Sequence, residues 1–219
     1  MNLFYAEPDC VHRPHIELKG SEAEHALKVL RYRVGDEIHV TDGIGSHFTA
    51  RVTETGKARL LAEIMAEEKT EKKGRRVTVL IGLIKKRDRL EFAVEKCTEL
   101  GADSILIFRG DHSEKQNVRM DRIETTILSA MKQSLRFTMP LSGLYENLSD
   151  ALTAAGDGRL IVADETVHDH TWTDIHKEEK AVGLVVGPEG GFSQKERHIL
   201  AQAGAEYYSL GLHRLRTET

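Results

Sequence analysis

The sequence predicts an α/β protein in two parts: a small β-barrel domain over residues 1–70 and, over residues 74–219, a domain built on a parallel sheet. Three observations carry this. Residues 182–186 are a short apolar run, rich in valine and bounded by Gly and Pro, which is how a strand buried on both faces reads; the chain leaves it through a glycine-rich loop straight into a helix. The same alternation of apolar strand and amphipathic helix recurs from residue 77 onward. Before residue 65 the pattern is one of short strands at hairpin spacing, parted by Asp-Gly and Gly-Lys turns.

Taken in order, residues 3–6 read as an opening strand. Ser21 and Glu24 have the spacing of a capping box, and Ala23, Ala26, Leu27 and Leu30 lie at helical spacing, so a short helix is expected over residues 22–30. Strands are expected over 37–40, 47–52 and 58–64, the set that suggests the barrel. Residues 67–76 are a charge run with almost no apolar content and read as a linker, and the domain boundary is placed there. The second domain opens with a buried strand over 77–84. A helix follows with Leu90, Ala93, Val94, Cys97 and Leu100 on one face and Gly101 as its stop. Residues 104–108 are the next strand. Residues 119–136 form a long helix with Ile123, Ile127, Met131 and Leu135 inward and Gln133 and Arg136 at its C-terminal end. Residues 160–163, 182–186 and 206–210 complete the strands. Between the last two, Ser193 and Glu196 make a second capping box, opening a helix with Ile199, Leu200 and Ala203 on its inner face.

A chain of 219 residues, 40% hydrophobic and 30% charged, is ordinary for a globular protein and long enough for two domains. It has no apolar run of the roughly 18–20 residues that a spanning helix needs and no basic-then-apolar leader, so a cytoplasmic protein without membrane contact is expected. The two cysteines, Cys10 and Cys97, fall in separate domains and suit a reducing compartment. Net charge is −4 and the pI about 6.3, so any RNA contact must be a local patch, for which Arg31 and Arg33 are candidates unless they are merely a solvated turn. His168, His170 and His176 cluster without cysteine or a helical HExxH pattern, and no metal is expected.

The loop Gly187, Pro188, Glu189, Gly190, Gly191 is the candidate binding site, because glycines at the carboxyl end of a strand let backbone groups approach a ligand. It fits neither the P-loop nor the dinucleotide spacing, and by itself would equally serve as a plain turn. The tail distinguishes these. Gly-Pro-Glu-Gly-Gly-Phe-Ser at 187–193, Leu210-Gly211, and Leu-Arg-Thr-Glu-Thr at 215–219 resemble the RsmE-type family of ribosomal RNA uridine-N3 methyltransferases, of the SPOUT superfamily. Lys85-Lys86-Arg87, the run 95–101, and Gln133-Ser134-Leu135-Arg136 followed by Pro140 are similar to it as well.

The resemblance implies a C-terminal SPOUT α/β domain with a trefoil knot, preceded by a PUA-like β-barrel that holds RNA. It implies S-adenosylmethionine as cofactor, 16S rRNA of the small ribosomal subunit as partner and substrate, and a homodimer. The methyl-donor residues it implies are Glu165, Gly187, Pro188, Glu189, Gly190, Gly191, Leu210, Gly211, Leu215 and Arg216. Arg31, Arg33, Lys86, Arg87 and Arg136 are the candidate substrate contacts. Arg136, or Arg216, is the candidate cation for the uridine oxyanion, and Glu189 or Glu218 the candidate proton acceptor. Two rivals stand beside this reading: a SPOUT enzyme acting on a ribose 2′-hydroxyl or a tRNA guanine, and a non-catalytic RNA-binding factor. His213 and Arg214 depart from the family pattern, which has Arg and an apolar residue there. The family also continues beyond the position of Thr219 into a helix expected to be missing here.

Overall fold

A computed structural model describes residues 1–70, 74–114, 116–167, 179–211, 213 and 215–219. The chain divides into two compact units, Met1–Lys73 with Leu128–Met139, and Gly74–Ile127 with Pro140–Thr219.

The first unit is a six-stranded sheet. Its strands are β1 (Leu3–Tyr5), β2 (Val11–His12), β3 (His15–Lys19), β4 (Glu37–Thr41), β5 (Ser46–Thr55) and β6 (Arg59–Lys69), in the order β1-β4-β5-β6-β3-β2. Strict alternation puts Ile16, Leu18, Ile38, Val40, Phe48, Ala50, Val52, Leu60 and Ala62 on one buried face, closed by Phe4, Ala23 and Ala26. The expected strands over 3–6, 37–40, 47–52 and 58–64 are all present. β2 and β3 were not anticipated; in β3 only Ile16 and Leu18 mark the alternation.

Three expectations are corrected here. The helix is α1 (Gly20–Glu24), continued by a π turn over His25–Val29, and no side-chain cap is made at its start. Ser21 and Glu24 form no capping box: Glu24 pairs with Lys28 at 2.9 Å, while Glu22 accepts the Tyr5 N–H at 3.0 Å and takes an ion pair from Lys132. The linker is shorter than the charge run, because β6 continues to Lys69, pairing Glu67 with Phe48 and Glu68 with His47. Backbone hydrogen bonds hold such a strand whatever its solvent-side residues, and Arg13 neutralises Glu67 at 2.7 Å.

The second unit is a wholly parallel sheet, as expected, with six strands where five were read from the sequence. Its strands are β7 (Arg76–Gly82), β8 (Ser104–Phe108), β9 (Leu141–Tyr145), β10 (Arg159–Ala163), β11 (Ala181–Val186) and β12 (Glu206–Tyr208), ordered β12-β10-β11-β7-β8-β9. Its helices are α2 (Arg87–Glu99), the part of α3 (Met120–Gln133) up to Ile127, α4 (Leu148–Ala155) and α5 (Gln194–Gln202). Leu80, Leu106, Phe108, Val162, Val185 and Leu200 belong to its core. α4, capped by Asn147, and the edge strand β9 escaped the sequence reading, since β9 leaves Leu141 exposed.

Helix ends account for the remaining corrections. Leu100 is 87% exposed because the last turn of α2 closes there, and Thr98 is buried in its place. Ala203, the residue that caps α5, is exposed. α3 stops at Gln133, and Leu135, expected inward, lies beyond it at φ 56° and is 42% exposed. The histidines 168, 170 and 176 lie outside the described residues. Among the described residues no helix is long and apolar enough to cross a membrane.

Candidate active site

The sheet order creates the site. β11 sends its chain over β10 to β12, so the loops beyond the carboxyl ends of β10, β11 and β12 stand side by side at one edge of the sheet, the end where ligands usually bind in an open α/β sheet. Three loops line the cleft there, following β10 (Asp164, Glu165, Thr166), β11 (residues 187–192) and β12 (Ser209, Leu210, Gly211), together with Leu215, Arg216 and Thr217 of the tail. Its cavity volume is about 570 Å³, within the range of sites for small molecules and cofactors.

The β11 loop is held from several sides. Gly82, at the end of β7, lies so close that a β-carbon on it would sit 2.3 Å from Pro188 N. Pro188 also packs against Gly110, and Gly191 N–H donates to Pro188 O at 2.8 Å, closing a turn. The Glu189 carboxylate accepts the Lys85 N–H with both oxygens, at 3.1 and 3.2 Å. The capping box at the start of α5 is formed: Ser193 Oγ accepts the Glu196 N–H, and Glu196 accepts the Ser193 N–H. The helix therefore opens directly behind the loop.

All ten residues expected around a methyl donor line this one cleft: Glu165, the five from Gly187 to Gly191, Leu210, Gly211, Leu215 and Arg216. The other candidates lie elsewhere. Lys86 is the residue preceding α2 and Arg87 its first, both exposed, with Arg87 3.4 Å from Glu91. Arg31 and Arg33 are exposed on the first unit in a turn where Arg31 has φ 60°, and the Arg33 N–H donates to Asp36 at 2.7 Å. Arg136 also belongs to the first unit, half-buried just past α3. Its N–H reaches Met131 O at 2.9 Å and that of Leu135 reaches Lys132 O at 3.2 Å, the two bonds of a Schellman turn. Leu135 occupies the left-handed position where glycine is usual.

The sequence reading missed Arg89, Asp164 and Arg197 in the lining. Arg89 holds Glu218 at 3.3 Å, leaving that carboxylate side chain 8% exposed. Asp164, 7% exposed, receives the Thr166 N–H at 2.9 Å, the Thr166 hydroxyl at 2.8 Å and the Arg197 guanidinium. Burial opposes ionisation of Asp164, but the Thr166 N–H, Arg197 and the Thr166 hydroxyl outweigh it and hold the carboxyl below the ordinary range. The only advance signal was an Arg one turn into a helix behind a glycine loop. A depressed folded-state pKa means stability present above the unfolded value of about 3.9 and lost as pH falls through the folded value. Asp164→Asn should therefore cost about 1.5–3 kcal/mol at pH 7 in urea unfolding, with the difference from the parent shrinking below about pH 4. A difference independent of pH would refute the charge as its source.

A family model described as an RNA methyltransferase domain matches residues 70–219, and one described as an RNA methyltransferase PUA domain matches residues 18–65. A protein of Mycobacterium bovis named ribosomal RNA small subunit methyltransferase E is 31% identical over 214 residues, covering 91% of this chain and 80% of its own. The solved structure of a probable rRNA-methyltransferase from Porphyromonas gingivalis is 33% identical with a TM-score of 0.86, covering 100% of this chain and 92% of its own. A ribosomal RNA small subunit methyltransferase E from Neisseria gonorrhoeae, solved bound to S-adenosyl methionine, is 30% identical with a TM-score of 0.84 over the same shares.

Proposed function

The chain belongs to the RNA methyltransferase family, with a PUA-like domain before its parallel α/β domain, and on that premise we propose that it is an S-adenosylmethionine-dependent enzyme that methylates N3 of a uridine in 16S rRNA of the small ribosomal subunit. One observation carries the reading: the three loops beyond β10, β11 and β12 converge on a single cleft at the carboxyl end of the sheet. The proposal includes a cytoplasmic homodimer.

The residues present fit the donor. Glycine backbone at 187, 190, 191 and 211, flanked by Leu210 and Leu215, offers polar edges and apolar contact to a flat purine and its ribose, and Glu165 and Arg216 supply charge at an exposed rim. When bound, S-adenosylmethionine supplies a methyl group on a cationic sulfur. The protein must then do two things for uridine: accept the N3 proton and stabilise the charge that spreads to O2 and O4. Glu189 is assigned the first role. It is exposed in the cleft lining, and its two bonds to Lys85 leave acceptor positions free, whereas Glu218 is buried against Arg89. Arg136 is assigned the second. Its Schellman turn keeps Leu135 in a conformation costing about 1–2 kcal/mol, and strain of this kind is often kept where a side chain must be aimed. Lys86, Arg87, Arg31 and Arg33 are assigned to the RNA backbone.

The deciding experiment is methyl transfer from labelled donor to small subunits lacking the modification, with mass identification of the nucleoside. 3-Methyluridine establishes the reaction; another methylated nucleoside refutes the substrate; no product from a protein that binds the donor refutes the enzyme. Reversing Arg31 and Arg33 to Glu should raise the KM for RNA and flatten the plot of log affinity against log salt by about 1.4, since each neutralised phosphate of a single strand contributes about 0.7. An unchanged salt slope would remove that patch from the interface.

A further inference from the structure

We propose that His112 is a positioning residue of the methyl-donor site, a latch that holds the Gly190–Gly191 peptide from behind; its role toward the donor rests on the reading of the cleft given above. His112 Nδ1 lies 3.0 Å from Gly190 O and 3.2 Å from Gly191 O. Both partners are carbonyls, which only accept, so Nδ1 carries the proton and the bond selects one tautomer. The Gly190 carbonyl and the Gly191 N–H belong to one peptide plane, and the N–H is itself donated to Pro188 O at 2.8 Å. That plane is thus held at both edges. The glycine is part of the latch: a β-carbon at Gly190 would stand 2.8 Å from the His112 β-carbon, the root of the side chain, which has no room to yield.

The latch is mounted on fixed parts of the unit. His112 lies in the loop after β8, where Gly110 N–H donates to Ser113 Oγ at 3.0 Å and Ser113 Oγ donates to Leu83 O at 3.2 Å, tying the loop to the end of β7. Asp111 N–H donates to Glu196 Oε1 at 3.1 Å, and Asp111 Oδ2 accepts the Ser193 hydroxyl at 2.6 Å, tying it to the first turn of α5. His112 is not part of the cleft lining. It acts through Gly190 and Gly191, which are, and it keeps their backbone edges from turning during donor binding. Its side chain is exposed, so its removal leaves no core cavity.

The test has two readouts on the whole chain. Long-range 1H–15N spectra of the free protein at about pH 9, where imidazole is neutral, should show Nδ1 protonated in the His112 ring and not in the His112 ring of Gly190→Ala. By calorimetry, His112→Ala should weaken S-adenosylhomocysteine binding about tenfold with a thermal midpoint within about 3 °C of the parent, and His112→Asn, whose side-chain amide reaches the same carbonyls, should recover most of the loss. A ring protonated at Nε2, or unchanged affinity in His112→Ala, overturns the proposal. A parent that binds no S-adenosylhomocysteine overturns the donor reading and the role with it, while the tautomer still reports whether the latch exists.

Discussion

Replacing Gly82 by Ala should abolish tight donor binding although no residue of the cleft lining is itself substituted. The added β-carbon would meet Pro188 N at 2.3 Å, Pro188 Cδ at 2.5 Å and Gly187 C at 2.7 Å, all backbone or ring atoms with no rotamer to retreat into. Pro188 is backed in turn by Gly110, so the loop cannot move away without opening its second contact. Overpacking of this kind typically costs 1–3 kcal/mol, about 3 here, or roughly 6–12 °C in thermal midpoint for a protein of this size. Displacing the 187–191 backbone should break about two or three backbone hydrogen bonds to the donor at about 1 kcal/mol each, and so reduce S-adenosylhomocysteine affinity roughly 30- to 100-fold. Calorimetry on the folded variant measures this. Parental affinity in a correctly folded Gly82→Ala protein would mean that the β11 loop does not grip the donor.

Arg136→Ala separates binding from chemistry. If the guanidinium faces the oxygen that gains charge as uridine loses its N3 proton, its removal should lower kcat about 100- to 1,000-fold, as loss of one oxyanion donor does, with S-adenosylhomocysteine affinity kept within about twofold. Steady-state methyl transfer and calorimetry on the same preparation test both halves. Loss of donor affinity together with rate would assign Arg136 to the donor instead, and an unchanged kcat would remove it from the reaction. The two bonds of the Schellman turn come from the Arg136 and Leu135 backbone and are kept in the variant.

The parallel sheet was legible because its strands are apolar on both faces: the runs ending near Gly82, Phe108, Ala163 and Val186 stand out against the charged segments between them. The Ser193–Glu196 capping box was legible for a similar reason, since both partners lie within one turn. The box at Ser21–Glu24 has the same spacing and does not form. Its acid, Glu24, pairs with Lys28 instead, while the neighbouring Glu22 goes to the Tyr5 backbone and to Lys132, 110 residues away, partners that no local pattern announces. Periodicity also ran past the real helix ends at Leu100, Leu135 and Ala203, where the hydrogen-bond ladder stops although the apolar spacing does not.

Residue by residue, the sequence alone determined most of the strands and helices, though not β2, β3, β9 or α4, and also where the glycine loop lies and which family motif it carries, because these depend on partners within a few residues. Only the tertiary structure decided that β11 lies beside β7, and everything built on that neighbourhood: Glu189 on Lys85, Pro188 against Gly82, His112 behind Gly190, and Arg197 on Asp164. Those contacts join residues 33 to more than 100 positions apart. Their formation follows from strand order, which is set by the burial of whole faces and not by the spacing of any one motif.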